Sequence, residues 1–206
     1  MRYFWKRLVI HSIALWLALQ PSYLHPDEHF QSLEILCQRL YHFKGSIPWE
    51  FESDNAARSF VPLFAFYGPI MYVMRFLFDK GVFKQPMNII RVVRGQNYLL
   101  YMIISKVTLS IINSGSRVNS LVADSFVMTS YVTLAYQSHS FSNSTETILL
   151  LLVLAMYKRL IDSNLDSKKN HFFESISLGI LISLGTFNRI TFPGFILLPS
   201  IPVFLQ

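Results

Sequence analysis

Seven residues, His25-Pro26-Asp27-Glu28-His29-Phe30-Gln31, set two carboxylates, two imidazoles and an amide directly after a hydrophobic segment. Carboxylates and imidazoles are the side chains that most often move protons in catalysis. At the end of an apolar run they stand where a membrane meets water, and polar groups there are costly unless satisfied or used. Adjacent residues on a helix point about 100° apart, so Asp27 and Glu28 cannot easily address one atom. One of the pair then suits acid/base work and the other a structural part. The plainer reading is a helix N-terminus with acidic residues in its first turn, where the dipole favours anions. A metal held by His25, Asp27, Glu28 and His29 is a third reading, but the spacing matches no recognised ligand pattern.

Other polar clusters also interrupt apolar sequence. Arg58-Ser59 precedes an apolar run; its guanidinium could grip a lipid-borne phosphate through paired N–H donors, or simply snorkel to the interface. Residues Gln137 to Glu146 form a dense polar island, adequately read as a loop in which Asn143 or Ser144 caps the helix beginning near Glu146. Asn188-Arg189-Ile190-Thr191-Phe192-Pro193 places a cation between two apolar stretches, where it needs a phosphate, a carboxylate or lipid head groups as partner. Lys106 and Asp124 lie inside apolar runs. They pair with each other or snorkel, and no chemistry is assigned to them.

Composition sets what must hold these groups. Of 206 residues 52% are hydrophobic and 15% charged, with a mean hydropathy of +0.37. A soluble domain carries about 25% charge, so the class is a polytopic membrane protein, all-α. The 18 Phe and 10 Tyr fit a lipid-facing body with aromatic residues at its interfaces. The net charge of +6 raises a nucleic-acid reading, but Lys and Arg fall in short clusters between apolar runs rather than on one face. The single Cys37 excludes an intrachain disulfide and a cysteine-built metal site.

The run Leu8 to Leu19, with its flanks, reads as an uncleaved first span whose basic end (Arg2, Lys6, Arg7) is cytosolic. From His25 to Ser59 the chain is polar. Phe30, Leu33, Cys37, Leu40 and Tyr41 recur at helical spacing there, which predicts an amphipathic helix on the membrane surface, started at Pro26 and ended by a left-handed cap at Gly45. Further spans are predicted at Phe60 to Phe78, Asn97 to Ile112, Leu121 to Tyr136, Ile148 to Leu160, Ile176 to Phe187 and Phe192 to Leu205, making about seven in all. Lys80, Lys84, Arg91 and Arg94 read as a cytosolic loop. Lys158, Arg159, Lys168 and Lys169 form a second basic stretch. Three full spans between them would put the two on opposite sides, against the positive-inside rule. Either one segment does not cross or the second stretch is lumenal. Asn143-Ser144-Thr145 is a glycosylation sequon that would report the side.

Tyr23 to Gln31, then Gly45-Ser46-Ile47-Pro48-Trp49-Glu50-Phe51, then Arg58-Ser59 resemble the first lumenal loop of the dolichol-phosphate-mannose-dependent mannosyltransferases of the endoplasmic reticulum. These are multi-spanning glycosyltransferases of the GT-C type (glycosyltransferase family 22). His139 to Thr147 and Phe187 to Pro193 look like the same family, in the branch adding the fourth mannose to the glycosylphosphatidylinositol (GPI) precursor. The resemblance implies a lumen-facing site in an endoplasmic-reticulum membrane protein. Residues 1–206 would be the N-terminal part of one longer GT-C catalytic domain, with its first lumenal loop at about 25–59. It implies a lipid-linked mannose donor, dolichol phosphate mannose, and a GPI-precursor glycolipid acceptor, with no metal or other cofactor.

A β-linked donor and an α-linked product require inversion by single displacement. The resemblance therefore casts Asp27 as the general base, with Glu28 in reserve. Arg58 and Arg189 would stabilise the leaving phosphate, His25 or His29 would bond the acceptor sugar, and Trp49 would stack on it. The same class acting on the N-glycan precursor is the nearest alternative. A transporter or non-catalytic membrane subunit is the more distant one.

Overall fold

The computed structural model describes residues 2–52, 54, 56–82, 85–113, 116–164 and 172–205. Every regular element among them is helical. The first, α1 (Arg2–Ala18), stops just before Pro21, which disfavours helical geometry at Gln20. A π-turn at His29–Leu33 leads into α2 (Glu34–Tyr41), and a single turn at Trp49–Phe51 precedes α3 (Phe60–Asp79). Then follow α4 (Met87–Ile112), α5 (Arg117–Thr129), a second π-turn at Thr133–Gln137, α6 (Ser142–Asn164), α7 (Phe172–Asn188) and α8 (Phe192–Phe204). Local chemistry sets several ends. The Ser59 hydroxyl accepts the Val61 N–H at 3.1 Å and caps α3, and Pro193 sits in the first turn of α8.

Six of the helices alternate in direction. Arg94 of α4 reaches the Gln20 carbonyl just past the end of α1, while Tyr98 meets His11 further back along α1 at 3.0 Å; α4 is antiparallel to α1. The α5 segment returns alongside α1: Arg7 pairs with Asp124, Leu134 packs on Ala14 and Ala18, and Ser22 meets His139 at 3.2 Å. Along α4 and α6 the contacts run in step, Asn97 with the His139 carbonyl at 3.0 Å and Thr108 with the Leu151 carbonyl at 3.1 Å. Asn188, ending α7, donates to the Ser142 carbonyl at 3.0 Å, and α8 leaves again with Phe192 and Ile196 against Leu149 and Val153. The polar segments 20–28, 137–146 and 188–191 therefore converge at one end of the bundle, the site end.

Among the described residues α3 is the one helix that combines the length and the apolarity of a simple membrane span, yet its contacts keep it at the site end. The Ser59 N–H meets the Phe187 carbonyl at 3.1 Å, and Gln96 donates to the Phe66 carbonyl at 2.6 Å. Met71 and Met74 pack with Ile89 and Val93 at the start of α4. Alongside lies α2, its Leu33, Ile35, Leu36 and Leu40 in the same core and its Tyr41 hydroxyl on the Met71 carbonyl at 2.9 Å.

The fold corrects several expectations. Arg91 and Arg94 belong to α4, which begins ten residues before the predicted span, and Arg94 is buried. Lys80 follows α3 at the site end, whereas Lys158 and Arg159 end α6 at the end that also holds Lys6 and Arg7. The three segments between the two basic stretches thus do run end to end, and α3, ahead of the first stretch, is the segment that does not. Lys84, Lys168 and Lys169 lie outside the described residues. Asp124 pairs with Arg7, not Lys106. The left-handed cap of α2 is His42, at φ 57°. Gly45 serves a close approach instead, since a β-carbon there would stand 2.7 Å from Glu34 Oε1, which accepts the Ser46 N–H at 3.0 Å. The extra residue of the π-turn shifts the helical phase, so Phe30 is exposed while Ser32, Leu33, Ile35 and Leu36 are buried.

Candidate active site

The two adjacent carboxylates part company. Glu28 is wholly buried and pairs with the buried Arg94 at 2.7 and 2.8 Å. The Ser140 N–H adds a contact to Glu28 Oε1 at 3.3 Å, and the Ser32 hydroxyl lies 2.7 Å from the Glu28 carbonyl. His139 stands 3.9 Å from Glu28 Oε2 and stacks on Phe141 at 5.6 Å. Burial pushes the His139 imidazole down to about 4, against the pull of Glu28, so it is neutral near pH 7. A carboxylate wholly buried and closed in an ion pair is out of reach of an incoming hydroxyl, which does not suit Glu28 to the reserve-base role.

Asp27 turns the other way. Its side chain is 47% exposed and lines a cavity of about 450 Å³ with His25 and Gln31 on the same wall. The polar island contributes Gln137, Asn143 and Ser144 to the lining, joined by Thr147, with Tyr136 and Phe141 as aromatic surfaces. His25 Nδ1 lies 3.3 Å from both Asp27 Oδ1 and the Asp27 N–H. Neutral His25 accepts from that N–H; protonated, it donates to the carboxylate. Two roomier cavities, of about 580 and 650 Å³, are lined chiefly by apolar side chains and include no carboxylate.

Neither arginine lines the polar cavity, but Arg58 bonds to a residue that does. Arg58 donates to Gln31 Oε1 at 2.9 Å and lies 3.2 Å from Glu50. Burial lowers its guanidinium from the ordinary value, and Glu50, Arg189, Asp27 and Glu146 are all within electrostatic reach of it. Arg189 finds a carboxylate partner, Glu146 at 3.5 Å, which also accepts from Thr191 at 3.3 Å. Of the sequence candidates, Asp27 and His25 are thus brought together with Arg58 in electrostatic reach of Asp27, and Arg189 lies within reach of Arg58. His29 is not: it stacks on Tyr23 at 5.6 Å and lines a separate cavity with Glu34 and Cys37. Trp49 is 63% exposed and away from the cavity. From sequence Arg94 reads only as a loop cation, and His139 and Glu146 only as members of the polar island, with no role of their own. The density of the polar island was the available signal for the last two.

A model of the Alg9-like mannosyltransferase family matches residues 5–206. The chain belongs to that family. This Alg9-like chain is 48% identical over 204 residues to GPI mannosyltransferase 4 of Candida glabrata, covering 96% of the chain and 39% of the relative. It is 39% identical over 205 residues to GPI mannosyltransferase 4 of Saccharomyces cerevisiae, covering 99% of the chain and 39% of the relative. With GPI mannosyltransferase 4 of Candida albicans it shares 42% identity over 194 residues, 88% of the chain and 36% of the relative. No solved structure matches it. The Alg9-like chain therefore spans about two fifths of the length of the relatives it matches.

Proposed function

We propose that the chain carries the base-bearing part of a polytopic membrane mannosyltransferase that adds an α-1,2-linked fourth mannose to the trimannosyl GPI precursor, with dolichol phosphate mannose as donor. The observation that carries this reading is the divergence of Asp27 and Glu28, one lining a polar cavity and the other closed in an ion pair. Asp27 accepts the proton of the acceptor hydroxyl as its oxygen attacks the anomeric carbon. The bond from that carbon to the phosphate oxygen breaks with its electron pair, dolichol phosphate leaves, and the β linkage becomes α. His25 orients the Asp27 carboxylate, and its exposed ring reaches the acceptor sugar. Arg58, within electrostatic reach of both Asp27 and Arg189, supplies with Arg189 the positive potential that favours a leaving phosphate. Glu28 serves as a structural anchor.

A membrane setting in the endoplasmic reticulum fits the surface. Trp5, Val9, Ile13 and Trp16 of α1 and Leu197, Leu198 and Phe204 of α8 are exposed, while Asn97, Ser105 and Thr108 of α4 are buried. Apolar outside and polar within is the arrangement a bilayer favours. With Lys6, Arg7, Lys158 and Arg159 on the cytosolic side, the site end faces the lumen. The test offers purified full-length enzyme dolichol phosphate mannose with either the trimannosyl GPI precursor or the N-glycan precursor. Transfer to the first alone is expected. Transfer to the second alone rejects the GPI assignment, and no transfer to either rejects the donor.

A further inference from the structure

Arg94 has no part in the reaction above, yet all five of its N–H donors are engaged. Nε and Nη2 hold the two oxygens of Glu28 at 2.8 and 2.7 Å. Nη1 donates to the Gln20 carbonyl at 2.7 Å and lies 3.2 Å from the Ser22 hydroxyl, and Nη2 donates to the Ser22 carbonyl at 2.7 Å. These acceptors lie at the two ends of the segment that joins α1 to the helical turn bearing Asp27. One guanidinium on α4 therefore clasps that segment at both ends.

Net stability does not account for the arrangement, because desolvating two charges offsets most of what a buried ion pair returns. Placement does. Asp27 is held lightly by His25 at 3.3 Å, so the backbone of its neighbour Glu28 sets where its carboxylate points. Glu28 in turn is fixed by Arg94 on its side chain and by Ser32 on its carbonyl. We propose that Arg94 is a positioning residue: by clasping Glu28 and the Gln20–Ser22 carbonyls it aims Asp27 at the polar cavity. The inference rests on Asp27 acting as the base. Lysine cannot substitute, since three donors on a point charge do not reproduce a planar fork that spans five acceptors.

The test uses the full-length enzyme and measures kcat and KM per folded molecule for Arg94→Lys, Glu28→Gln and the double variant. Misplacing a base by about 1 Å costs on the order of 100-fold. Each single variant should lose kcat by that order with KM for donor and acceptor unchanged, and the double variant should fall no further than the worse single. Unchanged kcat in both singles, a loss confined to KM, or losses that multiply in the double variant would overturn the proposal. Should Arg94→Lys fail to accumulate, the isosteric Glu28→Gln decides. Failure of both to fold also overturns it, leaving a purely structural clasp. Asp27→Asn measured alongside separates the two ideas: if it transfers normally the base assignment fails, whereas if it is dead while Arg94→Lys and Glu28→Gln work normally, only the positioning role fails.

Discussion

His139 is packed where a charge would be costly, and this makes the site end sensitive to acid. Its imidazole is pushed from an ordinary 6.5 down to about 4 by burial. Between those values the unfolded chain takes up a proton that the folded one refuses. Stability is therefore complete above about pH 6.5 and is lost progressively as the pH falls toward 4. Thermal unfolding in detergent should show a falling midpoint across that window, and His139→Gln should flatten the fall. A variant with an unaltered slope would assign the acid sensitivity to other groups. At this scale the sequence is legible where polar groups crowd together. Asp27 and His25 declare themselves within seven residues, but the partner of Glu28 lies 66 residues away on another helix. A cation at the start of α4 looks like any loop cation until the helices are packed.

The elements carry a tighter constraint where α7 meets α8. A β-carbon on Gly185 would come within 2.2 Å of the Phe192 ring, and that ring is fully buried. Gly185→Ala should therefore destabilise by about 1–3 kcal/mol through overpacking. Gly179→Ala, on the same helix with no atom within 4 Å of the new carbon, should instead stabilise by about 0.5–1 kcal/mol, the usual helix-interior preference. Chemical unfolding midpoints of the two variants check this, and equal shifts would contradict the packing. The helices themselves were readable from apolar runs, with α4 cut short because Arg91 and Arg94 break the run, although Arg94 is buried in the helical core. The role of α3 was not readable. Hydropathy reports that a segment can cross a membrane, and only its contacts with Phe187 and Ile89 place it along the site end.

For the whole molecule, the alternation of α1, α4, α5, α6, α7 and α8 gives a topology that labelling can test. In a cysteine-free background within sealed microsomes, Arg159→Cys should react with an impermeant thiol reagent, and Lys80→Cys should react only after detergent. Labelling of Lys80→Cys in intact microsomes would return that loop to the cytosolic side. The charge clusters alone gave contradictory sides, because α3 reads as a span by hydropathy but its contacts keep it, and the Lys80 that follows it, at the site end. The most direct measurement is transfer by the purified full-length protein carrying Asp27→Asn, with dolichol phosphate mannose and the trimannosyl GPI precursor. The expected result is a folded enzyme that no longer transfers mannose. Transfer at the wild-type rate would contradict the account.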